Sequence, residues 1–224
     1  MQRGVFCADI GTSSLKAAFI TEDGTVLKFI RLLFPQPVQA ADWVQAFFAA
    51  WRSVPADYAV EAICVSGNGP TLVAVPHNRR IPRLPIIPIN AALPLAAASL
   101  PSTVPPDDII NTILDAAKND TLFLWNEPVS QGATVSGAQR STVPAPQDAA
   151  APIPPVGASL FLPRIAAFRA RYPDIFGSAA QLFSGPEYLA YLLTGVPITS
   201  LPDPRYEAAY WDKEALFRFA EALH

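Results

Sequence analysis

The pattern of apolar and polar positions opens with three short β-like runs. Residues 4–8 (GVFCA) and Leu15–Ile20 are apolar and flank the polar stretch DIGTSS, which predicts strand, loop, strand. Glu22-Asp23-Gly24 is a hairpin signal, because Asp-Gly tolerates positive φ, and Val26–Leu33 follows as a third strand. These runs predict an antiparallel three-stranded meander. The period then becomes helical: Trp43, Val44, Phe47, Phe48 and Trp51 recur behind Asp42, and Tyr58–Val65 follows as a buried apolar strand. A helix placed between two strands predicts a crossover to a parallel strand. Farther on, Ile109, Ile110, Ile113, Leu114 and Ala117 pattern a helix over Asp107–Lys118, and residues 121–125 (TLFLW) suggest a strand. Helical order is expected again over Ser159–Tyr172. Ser184 and Glu187 have capping-box spacing and open a helix that should stop at Gly195, and a last helix is expected from Asp212.

Composition changes this picture mainly through proline. There are 24 prolines, about 11% of the chain against a usual ~5%, and they interrupt the middle rather than the two patterned ends. Leu84–Pro106 carries no charge and is long enough to span a bilayer, but Pro85, Pro88, Pro94, Pro101 and Pro105 each remove a backbone donor and clash with the preceding turn, so no membrane helix is expected. Gln131–Gly157 is rich in Ala, Pro, Ser, Thr and Gln, and is expected to be mobile or draped over the surface. A net charge of −3 with 16 Lys plus Arg supplies no basic footprint for nucleic acid. The two cysteines, Cys7 and Cys64, sit in apolar runs on strands expected to be neighbours, and are expected as buried, reduced thiols in a cytoplasmic protein. No spacing suggests zinc. Arg164, Arg169 and Arg171 are expected on the wet face of their helix, and His77 with Arg79, Arg80 and Arg83 in a solvated turn.

The most informative segment for chemistry is Asp9-Ile10-Gly11-Thr12-Ser13-Ser14-Leu15-Lys16. Gly11 lets backbone approach an anion, the hydroxyls of Thr12, Ser13 and Ser14 can donate to phosphate oxygens, and Lys16 adds positive charge. Asp9 can hold a hydrated magnesium ion. The spacing is not GxxxxGK[ST], and a strand rather than a helix follows, which excludes a Walker-type loop. From the short motif alone, a plain polar turn is an equal alternative.

The order of strand, polar turn, strand, hairpin, strand, helix, strand resembles the opening of the ribonuclease-H-like, actin-like ATPase fold. More narrowly, the chain resembles the N-terminal half of the FGGY family of carbohydrate kinases, which includes xylulokinase- and glycerol kinase-like enzymes. The resemblance runs in order through CADIGTSSLKAAFITEDGTVL, AICVSGNGPTLVAV at 62–75, LFLWNEP at 122–128 and SLFLPRIAAFRARYPDIFGSAAQLFSGPEYLAYLLTG at 159–195. It implies a mixed sheet, the meander followed by parallel strands with flanking helices, in one N-terminal kinase domain over 1–224 with proline-rich loops at about 76–106 and 128–163.

The resemblance further implies ATP and Mg2+ as cofactors and a sugar or polyol as substrate. Asp9 would organise magnesium, and Gly11, Thr12, Ser13, Ser14 and Lys16 would face the phosphates. Asn68, Gly69, Pro70 and Thr71 would line the sugar pocket, with Asn68 and Thr71 binding hydroxyls, and Trp125, Asn126 and Glu127 would close over the sugar. The sequence departs from the family where an arginine usually follows the Trp-amide-acid run, since Val129 and Ser130 stand nearby, and where Thr199-Ser200 replaces a Thr-Asp pair, with Asp203 close by. Family members carry their catalytic base and a C-terminal nucleotide-binding domain downstream, so the resemblance implies that this chain alone is inactive and needs that domain. A noncatalytic sugar-binding or regulatory module and one chain of a split kinase are the alternatives. A homodimer is left open.

Overall fold

The first three runs pair as the alternation predicts, and the hairpins between them are tighter than expected. β1 (Gln2–Ile10), β2 (Ser14–Thr21) and β3 (Val26–Leu33) form the antiparallel meander, in a computed structural model that describes residues 2–55, 57–67, 69–77, 105–126, 160–199 and 213–221. Asp9 and Ile10 belong to β1 and Ser14 to β2, so the expected six-residue polar loop is a bend of residues 11–13 alone. At the Asp23-Gly24 turn, the Thr21 hydroxyl and the Thr25 amide donate to the Asp23 carboxylate, and Gly24 takes φ 85°. Those bonds, the Thr21 hydroxyl first, hold the Asp23 pKa below its ordinary value. The stabilisation is therefore present above the ordinary carboxylate range and is lost as pH falls through the lowered value.

α1 (Ala40–Arg52) crosses over to β4 (Tyr58–Gly67), which pairs with β1 in parallel and gives the sheet order β3-β2-β1-β4. Asp42 is not the residue that precedes this helix. It stands in the first turn and reaches back to accept the Gln39 amide at 2.7 Å, so the helix begins earlier than the apolar periodicity indicates. The apolar stripe of α1 closes one face of the sheet: Trp43, Val44, Phe47, Phe48 and Trp51 pack with Phe6, Ala8, Ile10, Leu15, Ala17 and Phe19, all buried. Phe47 lies edge-on to Phe6, Phe48 and Trp51 with ring centroids 5.5–5.9 Å apart.

The other face of this sheet is open among the described residues. β4 was expected to be buried throughout, yet only Val60 is, and Ala62, Cys64 and Ser66 are exposed. The expectation of buried thiols fails for the same reason: strand alternation turns Cys7 and Cys64 to this open face, where Cys7 is half-buried and Cys64 exposed.

A second sheet departs from the expected continuation by parallel strands. β5 (Leu72–Pro76) lies between β6 (Thr121–Phe123) and β7 (Ala179–Phe183), antiparallel to both. Val73 and Val75 of β5 face the main core, while Leu72 and Ala74 face a second cluster with Phe123, Phe161 and Phe168. α2 (Asp107–Ala117) packs beside α1, with an Arg52–Asp107 ion pair at its start, and α3 (Leu162–Arg171) and α4 (Pro173–Ser178) bear on the second sheet. α5 (Gly185–Thr194) carries the expected capping box, in which the Ser184 amide donates to Glu187 Oε2 at 3.0 Å, and it ends at Gly195 with φ 67°. The last described helix is Lys213–Glu221, where a helix was expected from Asp212, itself outside the described residues. The expected mobile segment 131–157 and most of the 76–106 loop lie outside the described residues, and no described helix is long and apolar enough to cross a membrane.

Because Phe47 is fully buried at the centre of the aromatic cluster, Phe47→Ala should destabilise the fold by about 3–5 kcal/mol. Urea unfolding followed by circular dichroism measures this. An unchanged midpoint would mean that α1 is not the lid of this core.

Candidate functional site

The site begins where β1 and β4 end. These strands are parallel, so their C-terminal ends lie together, with Asp9 opposite Ser66 and Ile10 opposite Gly67. The edge beyond the carboxyl ends of parallel strands is where open α/β sheets take ligands, because the loops leaving them converge there.

Residues 11–13 form a closed bend at the end of β1. The Gly11 amide donates to the Ser14 carbonyl at 2.9 Å, and a Cβ at position 11 would stand only 2.9 Å from that same oxygen, so only glycine fits. The Gly11 amide is used inside the bend, where Thr12 is half-buried and Ser13 exposed. Ser14 is placed differently: it is buried, and its Oγ accepts from Arg31 Nε at 3.2 Å. The Phe34 amide also donates to the Ser13 carbonyl at 2.9 Å, so β3 and the residue after it brace the bend. Arg31 is thus a supporting residue that the sequence reading missed; its register opposite Lys16 was the only available signal.

Asp9 and Lys16 are also register partners, and Lys16 Nζ lies 3.3 Å from Asp9 Oδ2 with both side chains nearly half exposed. An ion pair this open contributes little to stability, so its constituents remain available to a ligand. Among the described residues no three His, Cys, Asp or Glu side chains group into a metal cage. Asp9 offers a single carboxylate, which fits magnesium, an ion commonly held by one or two carboxylates with waters and substrate phosphates.

The turn after β4 meets this bend. Gly69 has φ 51°, in the left-handed region, and lies beneath Trp125, whose Cγ would be 3.5 Å from a Cβ there. Thr71 is buried, with its Oγ1 accepting the Trp125 amide at 3.1 Å, while Pro70 is half-buried and Gly69 exposed. Trp125 then reaches the first bend, its indole Nε1 donating to Thr12 Oγ1 at 2.8 Å. Three separate segments therefore meet through one residue. Trp125 remains 48% exposed and Asn126 is exposed beside it, so the indole covers the site without sealing it. Asn68 and Glu127 lie outside the described residues.

Arg164 corrects an expectation. It is not on the wet face of α3 but 5% exposed, with its guanidinium 4.1 Å from the Phe123 ring centroid and donating to the Leu124 carbonyl, the residue before Trp125. The signal was in the helix phase: Arg164 follows Phe161 by three positions and precedes Phe168 by four, which puts it on the apolar stripe. Thr199 donates to Glu187, tying the segment after α5 to its cap.

No family model matches the chain, and no curated protein matches its sequence. Its structure is similar to a xyloylose kinase from Brucella ovis, at 16% identity and TM-score 0.56 over 96% of this chain and 40% of that one. It is also similar to xylulose kinase from Bifidobacterium adolescentis, at 16% identity and TM-score 0.53 over 99% of this chain and 44% of that one. Gluconate kinase from Lactobacillus acidophilus follows at 14% identity and TM-score 0.51, over 98% and 40%. The chain has the fold of part of a carbohydrate kinase. It spans about two-fifths of the length of those enzymes, with values of 40% and 44% for the two pentulose kinases.

Two substitutions test the geometry. Gly11→Ala should displace the 11–14 bend, and Thr12→Val should remove the acceptor of the Trp125 indole, moving its Nε1–H resonance in an NMR spectrum while the core signals stay in place. A stationary Trp125 resonance in Thr12→Val would break the link between the two loops.

Proposed function

We propose that this chain is the phosphate- and substrate-binding part of an ATP-dependent carbohydrate kinase that phosphorylates a hydroxyl of a ketose or polyol. The observation that carries this reading is the Trp125 bridge, with its indole on Thr12 and its amide on Thr71. It joins the three segments that such a kinase would need side by side, at the edge where parallel strands end. The likeness to xylulose kinases supports the choice of a ketose.

In this reading the Thr12 and Ser13 hydroxyls face the phosphates, and Lys16 supplies a neutralising charge. Ser14 acts indirectly, holding the bend against Arg31. Asp9 would hold magnesium through water, and the ion would offset the charge of the phosphates. Gly69, Pro70 and Asn126 face the sugar, and the exposed indole of Trp125 gives it an apolar face to rest on; Asn68 and Glu127, outside the described residues, are assigned to the sugar by the family resemblance. Thr71 shapes the turn, its hydroxyl oxygen already engaged by the Trp125 amide. Phosphoryl transfer needs donor, metal and acceptor held in line, so we propose that the catalytic base and the opposite wall of the cleft come from outside these residues, and that the chain alone does not turn over. Val129 and Ser130, in place of the family's usual arginine, and Ser200, in place of its aspartate, favour a second reading, a noncatalytic sugar-binding module.

Thermal unfolding against a panel of pentuloses, hexuloses and polyols tests the sugar site, since a ligand at ~100 times its Kd adds about 2.7 kcal/mol. At least one should raise the Tm; no shift from any of them would sink the proposal. Asp9→Asn should abolish the magnesium dependence of ATP binding measured by calorimetry. Sugar binding without any ATP binding in the unmodified chain would select the noncatalytic module.

A further inference from the structure

Cys7 of β1 and Cys64 of β4 are direct register partners in the parallel pair. Adjacent strands run about 4.7–4.9 Å apart, inside the ~4.4–6.8 Å range of Cα separations that a disulfide accepts and near its short end. The neighbouring pair Ala8 and Val65 turns toward the core side, so both cysteine side chains leave the sheet on the open face, Cys64 exposed and Cys7 half-buried, and both are free thiols. Neither cysteine belongs to the phosphate or sugar segments.

We propose that Cys7 and Cys64 form a reversible dithiol–disulfide site that is oxidised by small-molecule disulfides. The exposed Cys64 thiolate attacks one sulfur of the small disulfide, forming a mixed disulfide and releasing one thiol. The Cys7 thiolate then attacks the Cys64 sulfur, forming the Cys7–Cys64 bond and releasing the second thiol. Two cysteine S–H bonds are lost, one external S–S bond is reduced, and two small thiols carry away the protons. A bridge between directly paired strands has a span near the lower limit, which strains it and makes it easy to reduce, the property of a labile rather than a structural disulfide. It would cross-link β1 to β4 two residues before Asp9 and Ser66.

The test is a titration of the full 224-residue chain with glutathione buffers of rising disulfide fraction, followed by acid quench, alkylation under denaturing conditions and intact mass. The expected result is that both thiols disappear together, with a mass lower by two hydrogens, and return on reduction. The Cys7→Ser variant should instead retain a glutathione adduct on Cys64. The proposal is overturned if the unmodified chain keeps both thiols alkylatable, accumulates a lasting glutathione adduct, or cross-links only between chains. The measurement on the unmodified chain decides even where the variant fails to fold.

Discussion

The candidate site depends on β1 being hydrogen-bonded on both sides, antiparallel to β2 and parallel to β4. The parallel pairing requires a crossover, and α1 supplies it while burying its aromatic stripe against the sheet. Once the crossover is made, β1 and β4 must finish at one edge. The bend at 11–13 and the turn at 67–71 are neighbours for that reason, although the chain between them is long. The same pairing explains why chemistry-bearing residues alternate with core residues there: Asp9 stands between Ala8 and Ile10, both buried. A strand that anchors the core can present one carboxylate at its end without leaving the fold.

The second sheet gives that edge its roof. β5 starts from the turn after β4 and is buried on both faces, so it forms one wall shared by two apolar clusters. β6 lies beside it and delivers Trp125, whose placement is fixed three ways: by Thr71 at its amide, by Thr12 at its indole, and by Arg164 on the preceding carbonyl. Arg164 is stacked on Phe123 in the second cluster, so packing beneath the sheet reaches the upper surface through one carbonyl. A change in the 160s would therefore be felt at the site without touching a ligand.

The meander, the crossover, the α5 cap and its Gly195 stop were legible because each has a local period or a local capping rule. Of the second sheet, only the strand at Thr121–Phe123 was, and it is shorter than the expected 121–125. Leu72–Pro76 and Ala179–Phe183 are short, and β5, buried on both faces, shows no alternation to separate strand from helix or loop. At the site, the Gly-Thr-Ser-Ser bend was legible from residue types, whereas the Thr12–Trp125 hydrogen bond joins distant segments and no local pattern encodes it. The cysteines were misjudged because apolar neighbours were taken to mean burial, when strand alternation gave each strand one open face. Arg164 was misjudged although its helix phase placed it on the apolar stripe.

β3 lies at the outer margin of the first sheet among the described residues, and its apolar side chains Val26, Phe29 and Leu33 are 56%, 64% and 73% exposed. A margin strand of this kind has backbone donors and acceptors that another extended chain can use, which makes it a template for aggregation. Lys28 and Arg31 fall on opposite faces of β3, since their partners are Phe19 and Lys16 on alternate sides of β2. A strand pairing edge-on would have to seat its side chains beside a cation on each face. The arginine that braces Ser14 thus has a second consequence, because it helps keep the hairpin in solution.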